Sequence, residues 1–214
     1  MIRNRLSELL SERGLKISRV AKEVEIARSS LTSMVQNDSE MIRYDAIEKL
    51  CTFLNISPNE FFEYTPISVE YTFDEYPTIE YDILQDFERK LVLKKFEFDF
   101  LVDIKNSKED SSFDLDVSFQ SFKNNTETIF KINNESSVPE LKEIINQLTP
   151  GLKSVLYKKL QKHIQSYVTH FLINDITYNI NYSLSNEDID KLKKAFEKKP
   201  AKLVSNIFTE YWGD

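Results

Sequence analysis

The sequence predicts two domains of different fold class: an all-α domain of five short helices, followed by an α+β domain with an antiparallel sheet of about six strands. Up to about residue 65 the apolar residues recur every three or four positions, as on amphipathic helices. From residue 67 to residue 132 they alternate with polar residues, as on half-buried strands. Pro66 and Pro77 lie where the period changes. We therefore expect one domain over residues 1–65 and a second over residues 66–214.

The composition of the 214-residue chain is that of a globular protein, with 41% hydrophobic residues and a net charge of −7. Residues 1–65 are close to neutral, so the second domain carries most of the negative charge. No apolar run approaches the roughly 18 residues of a membrane span, and the partly acidic N-terminus is unlike a signal peptide. A single cysteine, Cys51, precludes an internal disulfide, and we expect a buried thiol and a cytoplasmic location.

The outer helices of the first domain are predicted from apolar periodicity and from residues that start or stop helices. The first helix is expected from about Ile2 to Arg13, with Gly14 as its C-terminal stop. The fourth is expected from about Asp45 to Leu54. A fifth begins at Ser57-Pro58-Asn59-Glu60, which combines a capping box with proline at the first helical position. The expected apolar face of the first helix comprises Ile2, Leu6, Leu9 and Leu10.

Two short helices around a tight turn are predicted between Leu15 and Asn37. We expect Ser18 to cap the first of them, which continues to about Val24. The second is expected from about Arg28 to Val35, with Asn37 as a left-handed C-terminal cap. Its inward positions, at i, i+4 and i+7 spacing, are Ala27, Leu31 and Met34.

The outward face of this second helix has the composition of a DNA-reading surface. It carries Arg28, Ser29, Thr32, Ser33 and Gln36, and no Asp or Glu occurs from residue 26 to residue 37. Such a face can enter a major groove without repelling phosphate, and an arginine can donate two hydrogen bonds to a guanine edge. The local pattern leaves open the alternative of an ordinary amphipathic helix.

Residues 1–65 resemble the helix-turn-helix family of phage-repressor type, also called the xenobiotic-response-element (XRE) type. The segments that carry the resemblance are Arg5-Leu6 to Gly14, Val20-Ala21-Lys22, Ile26-Ala27-Arg28-Ser29-Ser30-Leu31, and Ile42 to Tyr64 with its Leu-Asn-Ile-Ser-Pro turn. Two residues depart from the family pattern. Glu25 replaces the usual turn glycine, which costs about 1 kcal/mol in a left-handed conformation, and Ala27 replaces the usual Ser or Thr cap, which costs about 1 kcal/mol.

The resemblance implies a sequence-specific DNA-binding transcriptional regulator that acts on double-stranded DNA as a homodimer. It also implies that Arg43, in the loop before the fourth helix, approaches the DNA backbone or the minor groove; the alternative is a solvated arginine. The candidate DNA-binding residues are Ser18, Arg19, Arg28, Ser29, Thr32, Ser33, Gln36 and Arg43.

The second domain is predicted to contain strands first and helices afterwards. The predicted strands are Ile67–Phe73, Thr78–Ile83, Lys95–Ile104, Phe113–Phe119, Thr128–Ile132 and Ile176–Tyr182. The predicted helices are Ser137–Leu148, Leu152–Phe171, Ser185–Lys199 and Pro200–Trp212. The long apolar stripe of Leu152–Phe171 is a candidate dimer contact, and its alternative is packing onto the sheet of its own chain.

The sequence contains no recognisable catalytic, metal or cofactor site. Only three glycines are present, which excludes a phosphate-cradling loop. His163 and His170 lie seven residues apart, too far to bind one metal ion by themselves. We therefore expect neither an enzyme nor a cofactor, and no association with a membrane.

Two functions remain open. The first is a repressor of a phage or mobile element, whose second domain dimerises or binds an effector. The second is a protein-binding inhibitor or antitoxin-like module, whose acidic, aromatic second domain captures another protein while the helix-turn-helix domain regulates its own promoter.

Overall fold

The computed structural model describes residues 1–85, 89–106, 109–123, 127–178, 186–187, 190, 194, 198 and 200–208. The chain divides into two compact units. Unit 1 comprises Met1–Ile67 and Thr149–Val155, and unit 2 comprises Ser68–Leu148 and Leu156–Asp214.

Unit 1 consists of short helices and one small antiparallel ribbon. Its elements are β1 (Ile2–Asn4), α1 (Leu6–Glu12), α2 (Ile17–Glu23), α3 (Arg28–Val35), α4 (Tyr44–Leu54), α5 (Pro58–Phe61) and β2 (Phe62–Tyr64). Its apolar core is formed by Leu6, Leu9, Leu10, Val20, Ala21, Val24, Leu31, Met34, Ala46, Leu50, Cys51, Leu54 and Phe61. The prediction that the Cys51 thiol is buried is confirmed.

The first helix is shorter than the sequence predicted, because residues 2–4 form a strand. β1 pairs with β2 so that Ile2 lies opposite Tyr64. Ile2 is 63% exposed and does not belong to the apolar face. The side-chain oxygen of Asn4 accepts a hydrogen bond from the backbone N–H of Leu6 at 3.1 Å, which turns the chain from the strand into α1.

Two predicted helix boundaries in unit 1 are confirmed. Gly14 follows α1 with a left-handed φ of 61°, a conformation that glycine adopts without steric cost. At α5, the Glu60 carboxylate accepts hydrogen bonds from the Ser57 N–H and hydroxyl, both at 2.8 Å. This capping box starts the helix, which lasts only four residues because the chain then enters β2.

A buried arginine joins the two chain segments of unit 1. The guanidinium of Arg3 binds the carboxylates of Glu8 and Glu63, and the Thr149 hydroxyl donates a second hydrogen bond to Glu63. Burial opposes ionisation of Glu63, but the hydrogen bonds from Thr149 and Arg3 hold its pKa below the usual value. Gly151 leaves the space that the guanidinium fills, since a Cβ at this position would overlap Arg3.

Unit 2 is built on a six-stranded sheet within the described residues. Its strands are β3 (Ser68–Phe73), β4 (Thr78–Gln85), β5 (Arg89–Lys105), β6 (Asp110–Lys123), β7 (Glu127–Ile132) and β8 (Ala201–Val204). The strand order is β3-β5-β6-β7-β8, and β4 also pairs with β5. All pairs are antiparallel except β7 with β8. A 3-10 turn (Glu135–Ser137) and α6 (Pro139–Asn146) follow β7, and α7 (Pro150–Tyr178) begins in unit 1 and continues in unit 2.

The five strands predicted between residues 67 and 132 are confirmed, because their alternation matches burial. The inner face of β5 carries Phe96, Phe98, Phe100, Val102 and Ile104, all buried, while the residues between them face outward. The aromatic rings continue onto α7, where Tyr167 lies 4.9 Å from Phe98 and 5.0 Å from Phe73 between ring centroids.

The predicted sixth strand at Ile176–Tyr182 is wrong over the residues that the structure describes. Residues 176–178 form the last turn of α7, where the Thr177 hydroxyl donates to the Ile173 carbonyl at 2.6 Å. A short alternating run fits either a strand or the end of a helix, so periodicity could not decide here. Residues 179–182 lie outside the described part of the chain.

The helix predicted from Pro200 is also wrong at its start, since residues 201–204 form β8. Ala201 and Leu203 point into the core, and Thr128 of β7 donates to the Pro200 carbonyl at 3.0 Å. Pro200 directly precedes this strand, where its lack of an N–H costs no hydrogen bond of the ladder. Trp212 lies outside the described residues. Of the helix predicted over Ser185–Lys199, the described residues 186, 187, 190 and 194 are helical.

The apolar stripe of α7 is buried within a single chain. Leu156, Leu160 and Ile164 are at most 1% exposed. Gln161 and Gln165, on the same helix, bind the backbone of β8. Packing of this stripe inside its own chain, the alternative to a dimer contact, accounts for these residues.

The outer face of the sheet is acidic. The outward carboxylates of β3, β5 and β6 are Glu70, Glu97, Asp99, Asp103, Asp110, Asp114 and Asp116. Lys105 pairs with Glu70 at 3.0 Å, whereas Asp99 lies directly opposite Asp116. Like charges in this position destabilise a strand pair. Partial burial and then the neighbouring carboxylates, Asp116 first among them, raise the pKa of Asp99.

We expect Asp99→Asn to raise the urea midpoint of unfolding at neutral pH, because it removes a carboxylate that its neighbours repel. The pKa of Asp99 is higher in the folded than in the unfolded chain, so the stability that its proton confers is lost as the pH rises through the folded pKa. The gain from the substitution should therefore shrink as the pH falls toward about 4. Urea denaturation followed by circular dichroism at several pH values measures both effects.

Asp110→Asn is the matched control, because Asp110 faces Lys105 across the same two strands. An equal gain from both substitutions at neutral pH would contradict the argument from repulsion.

Candidate nucleic-acid interface

The turn between α2 and α3 holds its shape through a strained residue. Glu25 has a left-handed φ of 53°, as expected for the position where the resemblance places a glycine. The following N–H, of Ile26, donates to the Ala21 carbonyl at 3.0 Å and closes the end of α2. Ile26 packs against the core of unit 1 and fixes the turn there. The left-handed conformation costs about 1 kcal/mol for a residue with a Cβ, which core packing offsets.

Two predicted roles near this turn are wrong. Ser18 does not cap α2: the helix begins at Ile17 with Lys16 as its N-cap residue, so Ser18 lies exposed in the first turn. Ile17 packs against the core, and this contact sets where the helix starts. Ala27 is exposed instead of inward, because it is the N-cap residue of α3 and precedes the helical periodicity. Its methyl side chain cannot accept a hydrogen bond, so α3 has no side-chain cap at its N-terminus.

The faces of α3 are otherwise as the sequence predicted. Leu31 and Met34 are buried in the core. Outside, Arg28, Ser29 and Gln36 are exposed and Thr32 and Ser33 are half-buried. The Thr32 hydroxyl donates to the Arg28 carbonyl at 2.8 Å, so on the outer surface its oxygen is available as an acceptor.

Two asparagines fix the C-terminal end of α3. Asn37 adopts a left-handed φ of 56°, confirming the predicted cap. Its side-chain oxygen accepts from the Asn4 N–H at 2.8 Å, and its amide donates to the Asn4 carbonyl at 3.1 Å. The buried Asn4 amide in turn donates to the Met34 carbonyl at 2.8 Å. Three hydrogen bonds thus join six polar groups at the end of the helix and the start of the chain.

Arg43 forms an ion pair that neither predicted alternative included. It is the N-cap residue of α4, and its guanidinium contacts Asp45 side-on, with Nε 2.9 Å from Oδ1 and Nη2 3.2 Å from Oδ2. Both side chains are accessible, at 85% and 54% exposure. The hydrogen bond from Arg43 lowers the pKa of Asp45, and the same bond raises the pKa of Arg43.

Sequence reasoning missed the residues on either side of Arg43. Met41 is 90% exposed and Tyr44 is 91% exposed, which is unusual for large side chains with apolar surface. Tyr44 begins α4 but does not belong to its buried face, which starts at Ala46. An aromatic residue that precedes the apolar period and follows an arginine is the signal that could have identified this segment.

Five of the exposed cations of unit 1 lie on or beside the helices that form this surface. They are Lys16, Arg19 and Lys22 on α2 or at its start, Arg28 on α3 and Arg43 at α4, whereas the exposed Arg13 and Lys49 lie at the end of α1 and within α4. Two exposed acids, Glu23 and Glu25, lie at the end of α2 and in the turn, and Glu25 is 3.9 Å from Lys49. The predicted residues on α2, α3 and the start of α4 therefore all remain accessible to a polyanion, at least in part.

A tight turn joins α2 to α3, and the outer face of α3 carries no acidic residue. Together these features define a helix-turn-helix DNA-binding unit. The family model of the Cro/C1-type HTH DNA-binding domain matches residues 5–66. This is the family that the XRE-type resemblance indicated, and it covers the N-terminal third of the chain. Comparison with curated proteins and with solved structures gives no match. In the described ranges, no helix is long and apolar enough to cross a membrane.

We expect Asn4→Ala to lower the free energy of unfolding of unit 1 by about 2 kcal/mol, since it leaves the Met34 carbonyl without its buried donor. Thermal unfolding followed by circular dichroism measures the loss. Asn59→Ala is the control, because Asn59 is exposed on α5 and should change stability by less than about 0.5 kcal/mol. Similar values for the two variants would show that the amide network does not stabilise the unit.

Proposed function

We propose that this protein is a transcriptional regulator, in particular a repressor of a phage or mobile element, that binds its operator through unit 1. The observation that carries the proposal is the exposed outer face of α3, which holds Arg28 and no carboxylate. The family match over residues 5–66 supports the DNA-binding class.

In this proposal α3 enters the major groove with its N-terminal turn leading. Arg28, in that turn, donates to a guanine edge. Thr32, whose hydroxyl proton is held by the helix, accepts from an amino group of a base. Ser29, Ser33 and Gln36 complete the contact with bases, while Ser18, Arg19 and Arg43 contact phosphates. A homodimer places two such helices about 34 Å apart, and unit 2 dimerises the chain or binds an effector.

A second candidate function is favoured by the outer face of the sheet in unit 2. Asp99 opposite Asp116, with Asp114 nearby, concentrates negative charge where it destabilises the strand pair. A basic protein surface would relieve this repulsion. The protein would then be an inhibitor or antitoxin-like module that captures a basic partner, and unit 1 would regulate its own promoter.

We expect Arg28→Ala to lower affinity for operator DNA about tenfold to a hundredfold, the cost of losing one bidentate base contact. Affinity for a scrambled duplex should change much less, because the lost contact reads sequence. Fluorescence anisotropy of the full chain on its own upstream intergenic DNA, at two salt concentrations, measures both. Arg13→Ala is the control, since Arg13 is a cation at the end of α1. Equal operator binding by Arg28→Ala and the wild type would refute the assignment of the reading helix.

The second candidate is tested by affinity capture from host extract with the wild type and with a variant carrying Asp114→Asn and Asp116→Asn. A captured basic partner should be lost from the variant, while operator binding is unchanged. A variant with Glu140→Gln and Glu143→Gln removes the same charge from the exposed side of α6 and should retain the partner. Identical sets of captured proteins from all three chains would count against an acidic docking face.

A further inference from the structure

We propose that Asp45 limits the affinity of unit 1 for DNA by holding the guanidinium of Arg43 away from the phosphate backbone. The inference rests on the proposed DNA-binding function. It assigns to Asp45 a regulatory role at the interface. The carboxylate of Asp45 competes with the DNA phosphates for the guanidinium of Arg43.

The geometry of the pair provides the first step. Arg43 presents Nε and Nη2, one complete edge of its planar fork, to the two carboxylate oxygens of Asp45. A phosphate accepts hydrogen bonds from the same kind of edge with the same spacing. Asp45 therefore occupies one of the two sites on Arg43 that could take a phosphate in bidentate fashion.

The location of the pair provides the second step. Arg43 and Asp45 lie two residues apart at the start of α4 and are both exposed, next to the exposed side chains of Met41 and Tyr44. No folded contact therefore has to break for the segment to meet a ligand, apart from the ion pair itself. An exposed pair of this kind is weak and exchanges with other anions.

The charge of Asp45 provides the third step. If phosphate displaces the carboxylate from Arg43, the carboxylate remains a few ångströms away, where it repels the phosphate. The pair thus opposes binding twice, through competition for the guanidinium and through repulsion. We expect the withheld affinity to be about twofold to fivefold, the range of a single exposed ion pair.

The two effects can be separated by a double-mutant cycle in the full chain, using wild type, Asp45→Asn, Arg43→Ala and the variant with both substitutions. Anisotropy is measured at several salt concentrations on the upstream intergenic duplex and on a scrambled duplex. Asp45→Asn should raise affinity for both duplexes about twofold to fivefold, and it should steepen the salt dependence by about one released counterion. In the Arg43→Ala background the same substitution should gain clearly less.

Glu12→Gln is the matched control, because it removes one exposed carboxylate from α1 and leaves α4 unchanged. Circular dichroism melting shows whether Asp45→Asn keeps the fold, since Asp45 also lies in the acid-favouring first turn of α4. Equal gains from Asp45→Asn with and without Arg43 would overturn the proposal, because the carboxylate would then act by repulsion alone. A loss of affinity in Asp45→Asn would overturn it as well, since Asp45 would then orient Arg43 for binding.

Failure of the proposed function is a different result. If neither the wild type nor Asp45→Asn binds either duplex while both remain folded, the DNA-binding function itself is refuted. If the wild type binds and Asp45→Asn does not bind more tightly, only the role of Asp45 is refuted.

Discussion

The side-chain hydrogen bonds of Asn4 and Asn37 determine where the second helix of the helix-turn-helix unit lies. The Asn37 side chain satisfies both backbone groups of Asn4, and the Asn4 side-chain amide donates to the Met34 carbonyl. Asn4 is buried, so water cannot replace its partners. The pair connects the strand at the start of the chain to the end of α3. The apolar core alone would hold α3 against α1 and α2, but a core of Leu and Met permits sliding that directional hydrogen bonds do not.

The surface of α3 and its surroundings combine residues that favour contact with DNA and residues that oppose it. The outer residues of α3 are neutral or positive, which suits contact with DNA, yet the neighbouring elements carry exposed carboxylates: Glu23 at the end of α2, Glu25 in the turn and Asp45 in the first turn of α4. Non-specific attraction to the phosphate backbone depends on how many cations are available, and an interface with few available cations depends more on contacts to bases. In the proposed function, weak binding to other DNA would help the protein to discriminate its operator from the rest of the genome. The net negative charge of the whole chain likewise weakens non-specific attraction to the phosphate backbone.

Local patterns predicted the parts of the fold that local interactions determine. Leu31 and Met34 follow helical spacing, Ser57 and Glu60 form their capping box within one turn, and the strands between residues 67 and 132 alternate. The errors occur where distant residues decide. Ile2 continues the helical pattern of α1 but pairs with Tyr64, and residues 201–204 become a strand because β7 offers an edge. The ion pair of Arg43 was missed for another reason: side chains two residues apart lie on the same side of the chain where the backbone is extended, and Arg43 is extended because it precedes the first turn of α4.

The buried arginine of unit 1 has a consequence for how the protein is made. Arg3 and Glu63 meet Thr149 and Gly151, so the unit is complete only when a segment encoded more than 80 residues after Glu63 is present. On the ribosome, the helix-turn-helix segment therefore emerges well before its last contacts do. The intervening strands of unit 2 are synthesised during this interval. Unit 1 thus acquires its full support only in chains that have been translated through the start of α7, and a prematurely ended chain lacks this support.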